Sequence, residues 1–578
     1  MDSPWKFEQY TPSSACEISP PRPLDADQFA SESAEVVRLT KLLAALPYDP
    51  ETWLNRGNCL RLLGYPELGL GDTYKARLLV EAGLLDTDTD TDTDTDTPST
   101  LGDQVRQAYR KKTHALHTTD PAWIKCASAV STPELLAQRA NEMLKRLELQ
   151  IWTELMEGLM AANCCVDYGR MSREAVDKFP EDEVFPSEVA NADAWYAQRK
   201  DILQPQVDSG EMAESQMAST ILNGGVYPVA YPFMTEDLLI RNEEVFQGIV
   251  EDFERASTNG TVVRSTIRNT TGADGEEFTE DDCIGVVATR EIATGETILI
   301  DRMSAGTVAV DADPSGCPTC CASPVESFRN ACCNVLYCSQ VCADVALETF
   351  HVPICGKDFE YLYTAARTAT ATTDFSLDAL LLMRAIALSL AEDLGHPLQS
   401  QAMVRLTPAY GFREPNLIIF NFADHIQTPI SILQTLGINI FTNPLYDTWV
   451  LHTMRCRLQN NKHGQTLGDW PGTGISGLYS MLNHSCSPNV DWRHDSASSE
   501  VTLFATRDCT IGEDLCISYI GPAGNALPVA ERRKKLMGWF GMPCRCAKCT
   551  REALAAHDEV LDLAAAATAE LTLEEPEE

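Results

Sequence analysis

The side chains with the clearest chemical potential in this chain are cysteines and histidines at short, fixed spacings. Of 21 cysteines in 578 residues, eight fall between Cys317 and Cys355. Cys317-x2-Cys320, Cys332-Cys333, Cys338-x3-Cys342 and His351-x3-Cys355 suit tetrahedral zinc, which takes thiolates and imidazoles without further geometric demands. Cys544, Cys546 and Cys549 offer three more thiolates within six residues, and they need a fourth ligand from elsewhere. Met1 to Lys6 shows no basic start running into an apolar segment, and no stretch of about 18 uncharged apolar residues occurs. These features point to a soluble intracellular protein of the nucleus or cytoplasm, where metal ligation is expected over disulfides. Cys164-Cys165 has no ligand partners nearby and reads as packing.

A second kind of signal lies between residues 483 and 519. Asn483-His484-Ser485-Cys486-Ser487-Pro488-Asn489 is answered by Gly512-Glu513-Asp514-Leu515, a turn entering a strand that ends on Tyr519, and then by the cysteines at 544–549. The three pieces, N-H-S-C-x-P-N, G-E-x-L-x-x-x-Y and C-x-C-x-x-C, resemble in order and spacing the C-terminal half of the SET domain. That is the fold of protein-lysine methyltransferases that use S-adenosyl-L-methionine. Upstream, Cys283 to Ile292 and Gly295 to Leu299 read as two strands joined by a turn and resemble the opening hairpin of the same fold. Its usual G-x-G start keeps only Gly285, with Cys283 in place of the first glycine. The cysteine-rich stretch resembles a MYND zinc finger, and its insertion after the first strands is similar to the SET-and-MYND methyltransferases.

The resemblance implies particular roles. Cys317, Cys320, Cys338 and Cys342 would share one zinc. His351 and Cys355 would hold another with two ligands from the middle of the finger, supplied by the adjacent Cys332 and Cys333 or by Cys321. Cys486 would complete a third site with Cys544, Cys546 and Cys549, the alternative fourth ligand being His557; two or three ions result. Asn483 and His484, flanked by Ser480 and Leu482, would hold the cofactor together with Ile284 and Gly285. Tyr519 would direct its hydroxyl at the methyl path, and Phe540 would form part of the lysine channel. A buried strand tyrosine is the plain alternative for Tyr519.

Charge fits a lysine-bearing partner. With 45 Lys+Arg against 84 Asp+Glu, the net charge is -39. Such a surface repels nucleic acid and attracts lysine-rich peptides; it also serves plain solubility. The expected function is protein-lysine methylation on histone or other lysine-rich tails, with neither nucleic acid nor membrane as partner. The alternative is a catalytically weak scaffold whose finger and N-terminal helices bind peptides.

The elements that must position these groups read as a multidomain α+β chain, a β-rich SET fold split by a MYND finger and a helical insert and preceded by an α-helical region. Residues 1–30, rich in Pro and Ser, read as disordered. Residues 31–165 read as helical, beginning with Ser31–Leu46 capped by Ser31. Trp53, Gly57, Leu60, Gly64, Tyr65, Gly69 and Ala76 then fall at tetratricopeptide spacing over a helical pair, or belong to an ordinary helical hairpin. Six Asp-Thr dipeptides at 86–97 read as a solvated loop, and a long helix is expected from Pro133 to Asn163. Residues 166–258 read as a linker, irregular over 170–220 and closing with a helix from Met234 to Ala256. The remaining boundaries are 259–312 for the first SET strands, 313–357 for the finger, 358–474 for the helical insert, 475–525 for the SET core, 526–552 for the post-SET zinc segment and 553–578 for an acidic tail.

Overall fold

The computed structural model describes residues 24–85, 100–119, 133–226, 231–239, 241–257, 259–264, 267–271, 277–280, 284–308, 316–321, 328–368, 375–406, 418–467, 470–494, 500–540 and 543–555. The expected disorder of residues 1–23, the Asp-Thr loop, Cys283, His557 and the tail beyond residue 555 lie outside the described residues. No helix among the described residues is long and apolar enough to cross a membrane.

The first helix runs Ala26–Ala45 and starts earlier than the Ser31 cap expected from sequence. Asp25 accepts from the Gln28 amide at 2.8 Å while the Gln28 side chain accepts from the Asp25 amide at 3.2 Å. That reciprocal pair satisfies two orphan donors of the first turn, which is why the helix extends back into the stretch read as disordered. Helices Pro50–Leu62 and Pro66–Leu84 follow, each with proline at its first position. They approach closely because of two glycines: a Cβ on Gly57 would sit 2.8 Å from the Gly69 carbonyl oxygen, and one on Gly69 would sit 2.7 Å from that of Gly57. Leu101–Thr119 and Pro133–Ala161 cover the pair, bringing Val105, Tyr109, Leu144 and Ile151 against Leu79 and Val80.

Two sequence expectations for the following region need correction. The stretch read as irregular forms three helices, Cys165–Lys178, Phe185–Asp208 and Glu214–Leu222. Their apolar faces are narrow, Tyr168, Met171 and Ala175 on the first and Phe185, Ala192 and Trp195 on the second. A narrow stripe among many acidic residues suffices to bury one side of a helix. The single helix expected from Met234 to Ala256 is two, Glu236–Leu239 and Glu243–Ala256. Asn242 makes the break by accepting from the Val245 amide at 2.9 Å, as an N-cap residue does.

The β-rich part centres on the strand Thr297–Val308. It pairs antiparallel on one edge with Trp470–Ser476 and on the other with Glu500–Ala505, and His463–Leu467 and Val490–His494 complete a five-stranded sheet. The strand Ile284–Ala288 pairs instead with Gly260–Arg264. The two segments expected to form one opening hairpin therefore lie in different sheets. Later strands pair with Thr297–Val308, one over 297–302 and the other over 303–308, and Ser257 bridges Leu299, so Ile284–Ala288 is not its partner. A small core formed by Ile249, Phe253, Val286, Leu299, Val501, Leu503 and Ile517 lies beneath these strands. Helix Glu243–Ala256, expected within a linker, thus packs into the β-rich unit.

Helix Phe375–Ala391 joins the parts, with every residue from Ala379 to Leu388 buried. An all-round apolar helix must be enclosed. Finger residues Tyr337, Ala343 and Phe350, Ala305 and Ile475 of the sheet, and residues of the N-terminal helices share one core with it. A polar lock also ties the N-terminal helices to the start of helix Thr448–Asn461. Asp447 accepts from Lys75 Nζ at 2.5 Å and from Arg56 at 2.9 Å, and Arg56 also forks onto Asp72 at 2.6 and 2.7 Å. Burial alone would raise Asp447, but the two cations outweigh it and hold its carboxyl well below the usual carboxylate range. Replacing Asp447 by alanine leaves buried cations without their shared partner, and about 3–5 kcal/mol of stability is expected to be lost. Denaturant unfolding of Asp447→Ala measures this, and a loss under ~1 kcal/mol would contradict the lock.

Candidate functional site

Three clusters of sulfur and imidazole occur among the described residues, each with its ligand atoms within 4.8 Å of one another. Cys317, Cys320, Cys338 and Cys342 form the first, with Cys338 Sγ 3.5 Å from the sulfurs of both Cys320 and Cys342. The second consists of Cys332, Cys333, His351 and Cys355. Of the two sources considered for its middle ligands, the adjacent cysteines occupy the place and Cys321 does not. His351 Nε2 lies 3.2 Å from Cys332 Sγ and 3.5 Å from Cys333 Sγ, while Nδ1 is 2.9 Å from the buried Tyr337 hydroxyl. A metal-bound imidazole uses its second nitrogen in this way, to fix ring orientation. Cys486, Cys544, Cys546 and Cys549 form the third cluster, with Cys486 Sγ 3.5 Å from Cys549 Sγ. Four soft donors at such separations fit zinc.

The third cluster abuts the tyrosine and histidine singled out in the sequence. Asn483–His484 forms a short strand pairing parallel with Cys516–Ile517, and the Ser485 amide donates to the Ile517 carbonyl at 2.9 Å. Asn489 sews the same pieces together: its Oδ1 accepts from the Cys516 amide and its Nδ2 donates to the Asp514 carbonyl, each at 2.8 Å. Only a carboxamide offers both functions, so aspartate could not replace it. The turn before Tyr519 is anchored from the other side. The Leu515 amide donates to Val286 and the Ala288 amide to Glu513, at 2.8 and 2.9 Å.

His484 links these parts. Its Nδ1 accepts from the Tyr519 amide at 2.9 Å, and its Nε2 lies 3.2 Å from Cys486 Sγ. Burial holds its pKa down at about 4, so near pH 7 the ring is neutral. With Nδ1 accepting, the proton sits on Nε2 and points at the sulfur. Tyr519 is half-buried, its ring centroid 5.3 Å from that of His484, and its hydroxyl donates to the Leu482 carbonyl at 2.9 Å. Asn483 is exposed and its side chain donates to the Ile284 carbonyl at 3.2 Å, which places it beside Gly285. Ser480 is turned elsewhere, its hydroxyl bonded to the carbonyls of Ser476 and Asn461 at 2.9 and 3.3 Å. Phe540 ends helix Val529–Phe540, and its side chain lies outside what is described.

A family model for the SET domain matches residues 357–520. The chain carries a SET domain. The match begins after the finger, yet the sheet it enters is built around Thr297–Val308, so the SET fold is split by the finger and the helices that follow it. The chain is 32% identical over 105 residues to histone-lysine N-methyltransferase set5 of Schizosaccharomyces pombe, covering 16% of this chain and 32% of that protein. It is 31% identical over 106 residues to a SET and MYND domain-containing protein of Dictyostelium discoideum, covering 18% and 20%. To protein-lysine N-methyltransferase SMYD4 of Homo sapiens it is 37% identical over 81 residues, covering 14% and 10%. The matches therefore span well under half the length of these relatives.

One residue that matters to the SET site escaped sequence reasoning. Asp301, on the central strand, accepts from the Leu478 and Tyr479 amides at 2.8 Å each and so caps the turn that leads into Leu482 and Asn483. Nothing local in the sequence marks it, because its partners lie 177 and 178 residues away. Burial raises its pKa to about 6, with the amide donors opposing the shift. The unfolded value is about 3.9. Between these values the folded chain holds a proton that the unfolded chain has shed, so this group lowers stability as pH rises from about 4 to about 6. Asp301→Asn keeps an acceptor and removes the titration. Relative to the parent it is expected to gain about 1 kcal/mol more at pH 7 than at pH 5. Urea unfolding at the two values checks this, and a difference of opposite sign would show that Asp301 is not held as described.

Proposed function

We propose that this chain is a protein-lysine N-methyltransferase that uses S-adenosyl-L-methionine. The observation supporting it most directly is the joint placement of Tyr519, with its hydroxyl on the Leu482 carbonyl and its amide on His484. That arrangement fixes a phenol beside the Asn483–His484 strand. An exposed carboxamide at Asn483, next to a glycine with no side chain to cover it, suits the polar amino-acid end of the cofactor. When bound, the cofactor supplies an electrophilic methyl group on a sulfonium.

The chain's own task is to deliver an uncharged amine in line with that methyl. Lysine in water has a pKa near 10.4. Entry into a desolvated channel beside a positive charge disfavours the ammonium on both counts. The ammonium proton is lost to solvent before the amine is held in line, leaving its lone pair free for the methyl group that the cofactor would supply. Tyr519 orients the amine by accepting from it while its own hydroxyl donates to the Leu482 carbonyl. Zinc at the three clusters holds the finger and the post-SET segment in place. The acidic surface favours lysine-rich protein substrates, and histone tails are the first to try, given the relatives' names.

Calorimetric titration with S-adenosyl-L-methionine, followed by transfer of labelled methyl to histone tails, tests the proposal. Saturable binding and label on lysine are expected. Absence of both would overturn it and favour a scaffold whose finger or N-terminal helices bind peptides.

A further inference from the structure

The two all-cysteine clusters pose a charge problem that the cluster containing His351 poses less severely. A zinc ion with four thiolates carries a net charge of 2−, and with three thiolates and a neutral imidazole only 1−. An anion removed from water needs a compensating charge close by, or its desolvation is not recovered. The His-containing cluster also has an exposed member, Cys332. Cys486, Cys544 and Cys549 are buried, as are Cys317 and Cys320.

A buried arginine accompanies the all-cysteine cluster of Cys486, Cys544, Cys546 and Cys549. Arg532, on helix Val529–Phe540, is 1% exposed. One of its Nη2 contacts is Cys549 Sγ at 3.4 Å and the other is the Glu552 carboxylate at 2.6 Å. Nη1 donates to the Leu527 carbonyl, which fixes the guanidinium plane. The guanidinium thus stands between the partly exposed Glu552 carboxylate and the buried sulfur, with a favourable contact to each.

We propose that Arg532 is a positioning residue for the metal, a counter-charge to the four-thiolate zinc site of Cys486, Cys544, Cys546 and Cys549. This rests on reading that cluster as a zinc site. Arg532 bonds to Cys549 through the sulfur, drawing electron density from the thiolate and making it a poorer target for protons and electrophiles. The ion is then retained not by its ligands alone but by a cation outside them, and outer partners of this kind are worth about 10–100-fold in metal affinity.

The test compares Arg532→Met with Arg532→Lys in the full chain. Methionine approximates the length without the charge, whereas lysine keeps the charge and loses the fork. Zinc per chain is counted by native mass spectrometry, and release to a chromogenic chelator is followed with time. Cys549→Ser in parallel identifies which ion belongs to the third cluster. With Arg532→Met that ion is expected to leave about 10–100-fold faster, the others at the parent rate, and with Arg532→Lys to leave within a few-fold of the parent. Equal losses in both variants would assign the residue a role in shape and overturn the inference, as would parental retention in both. A parent protein whose zinc content does not change with Cys549→Ser would instead remove the zinc site itself.

Discussion

Tyr519→Phe is expected to lower methyl transfer by on the order of 10²-fold or more, comparable with loss of a preorganised polar group at other reacting centres, while the chain stays folded. The phenol hydroxyl donates to the Leu482 carbonyl, and its ring lies beside that of His484. Phenylalanine keeps the ring, its contact with His484 and the backbone bond from residue 519 to Nδ1, because that donor is the amide. What goes is the hydroxyl, and with it a net hydrogen bond of about 1 kcal/mol and an acceptor for the incoming amine. Single-turnover transfer with labelled cofactor and calorimetric cofactor binding separate the two effects. Binding near the parental value with a collapsed rate is the expected result. Turnover within about twofold of the parent would remove Tyr519 from the chemistry and leave it a packed strand residue.

Cys549→Ser is expected to be the most damaging single change in the C-terminal segment. Its sulfur lies within the cluster formed with Cys486, Cys544 and Cys546, and Cys486 sits two residues from His484. A structural zinc can supply on the order of 10 kcal/mol to local folding, more than helix Val529–Phe540 and the few residues after it gain by packing alone. Losing it frees Cys486, and His484 then loses the partner of its Nε2 while its Nδ1 still holds the Tyr519 amide. One fewer zinc per chain, an unchanged finger and transfer reduced at least as far as in Tyr519→Phe are expected. Native mass spectrometry with activity on the same sample decides. Full zinc would refute the cluster, whereas a lost zinc with parental activity would refute only its connection to the tyrosine.

The cysteine spacings and the Asn483 and Tyr519 segments were legible because their chemistry resides in side-chain identity at short range. The helical hairpin from Pro50 to Leu84 was legible for a similar reason, since proline starts and small residues are local marks. Partners far apart in sequence were not. Asp301 and Arg532 are ordinary charged residues until the fold brings Tyr479 to one and Cys549 to the other. The opening strands look like a hairpin because they are adjacent, yet Thr297–Val308 takes its strand partners from residues after 469, and Ile284–Ala288 takes its strand partner from before 265 and bridges to Asp514 on its other edge. Helices between 165 and 222 were hidden because each buries only a few apolar side chains, spaced among charged and polar ones.

The central position of Thr297–Val308 also bears on the order in which the protein can be made. Ser304 and its bonding partner Ile475 are 171 residues apart. At translation rates of about 5–20 residues per second, that strand waits on the order of 10–30 s for its first partner in the five-stranded sheet. During that interval earlier chain can cover only its first residues, through the Ser257–Leu299 bridge and helix Glu243–Ala256, and the rest of a twelve-residue strand stands unpaired, an arrangement prone to pair with a neighbouring nascent chain. The finger emerges next, ahead of every remaining strand of the five-stranded sheet. Zinc capture there, drawing Tyr337 and Phe350 into place for the helix that follows, would bring a folded neighbour to the strand's far half.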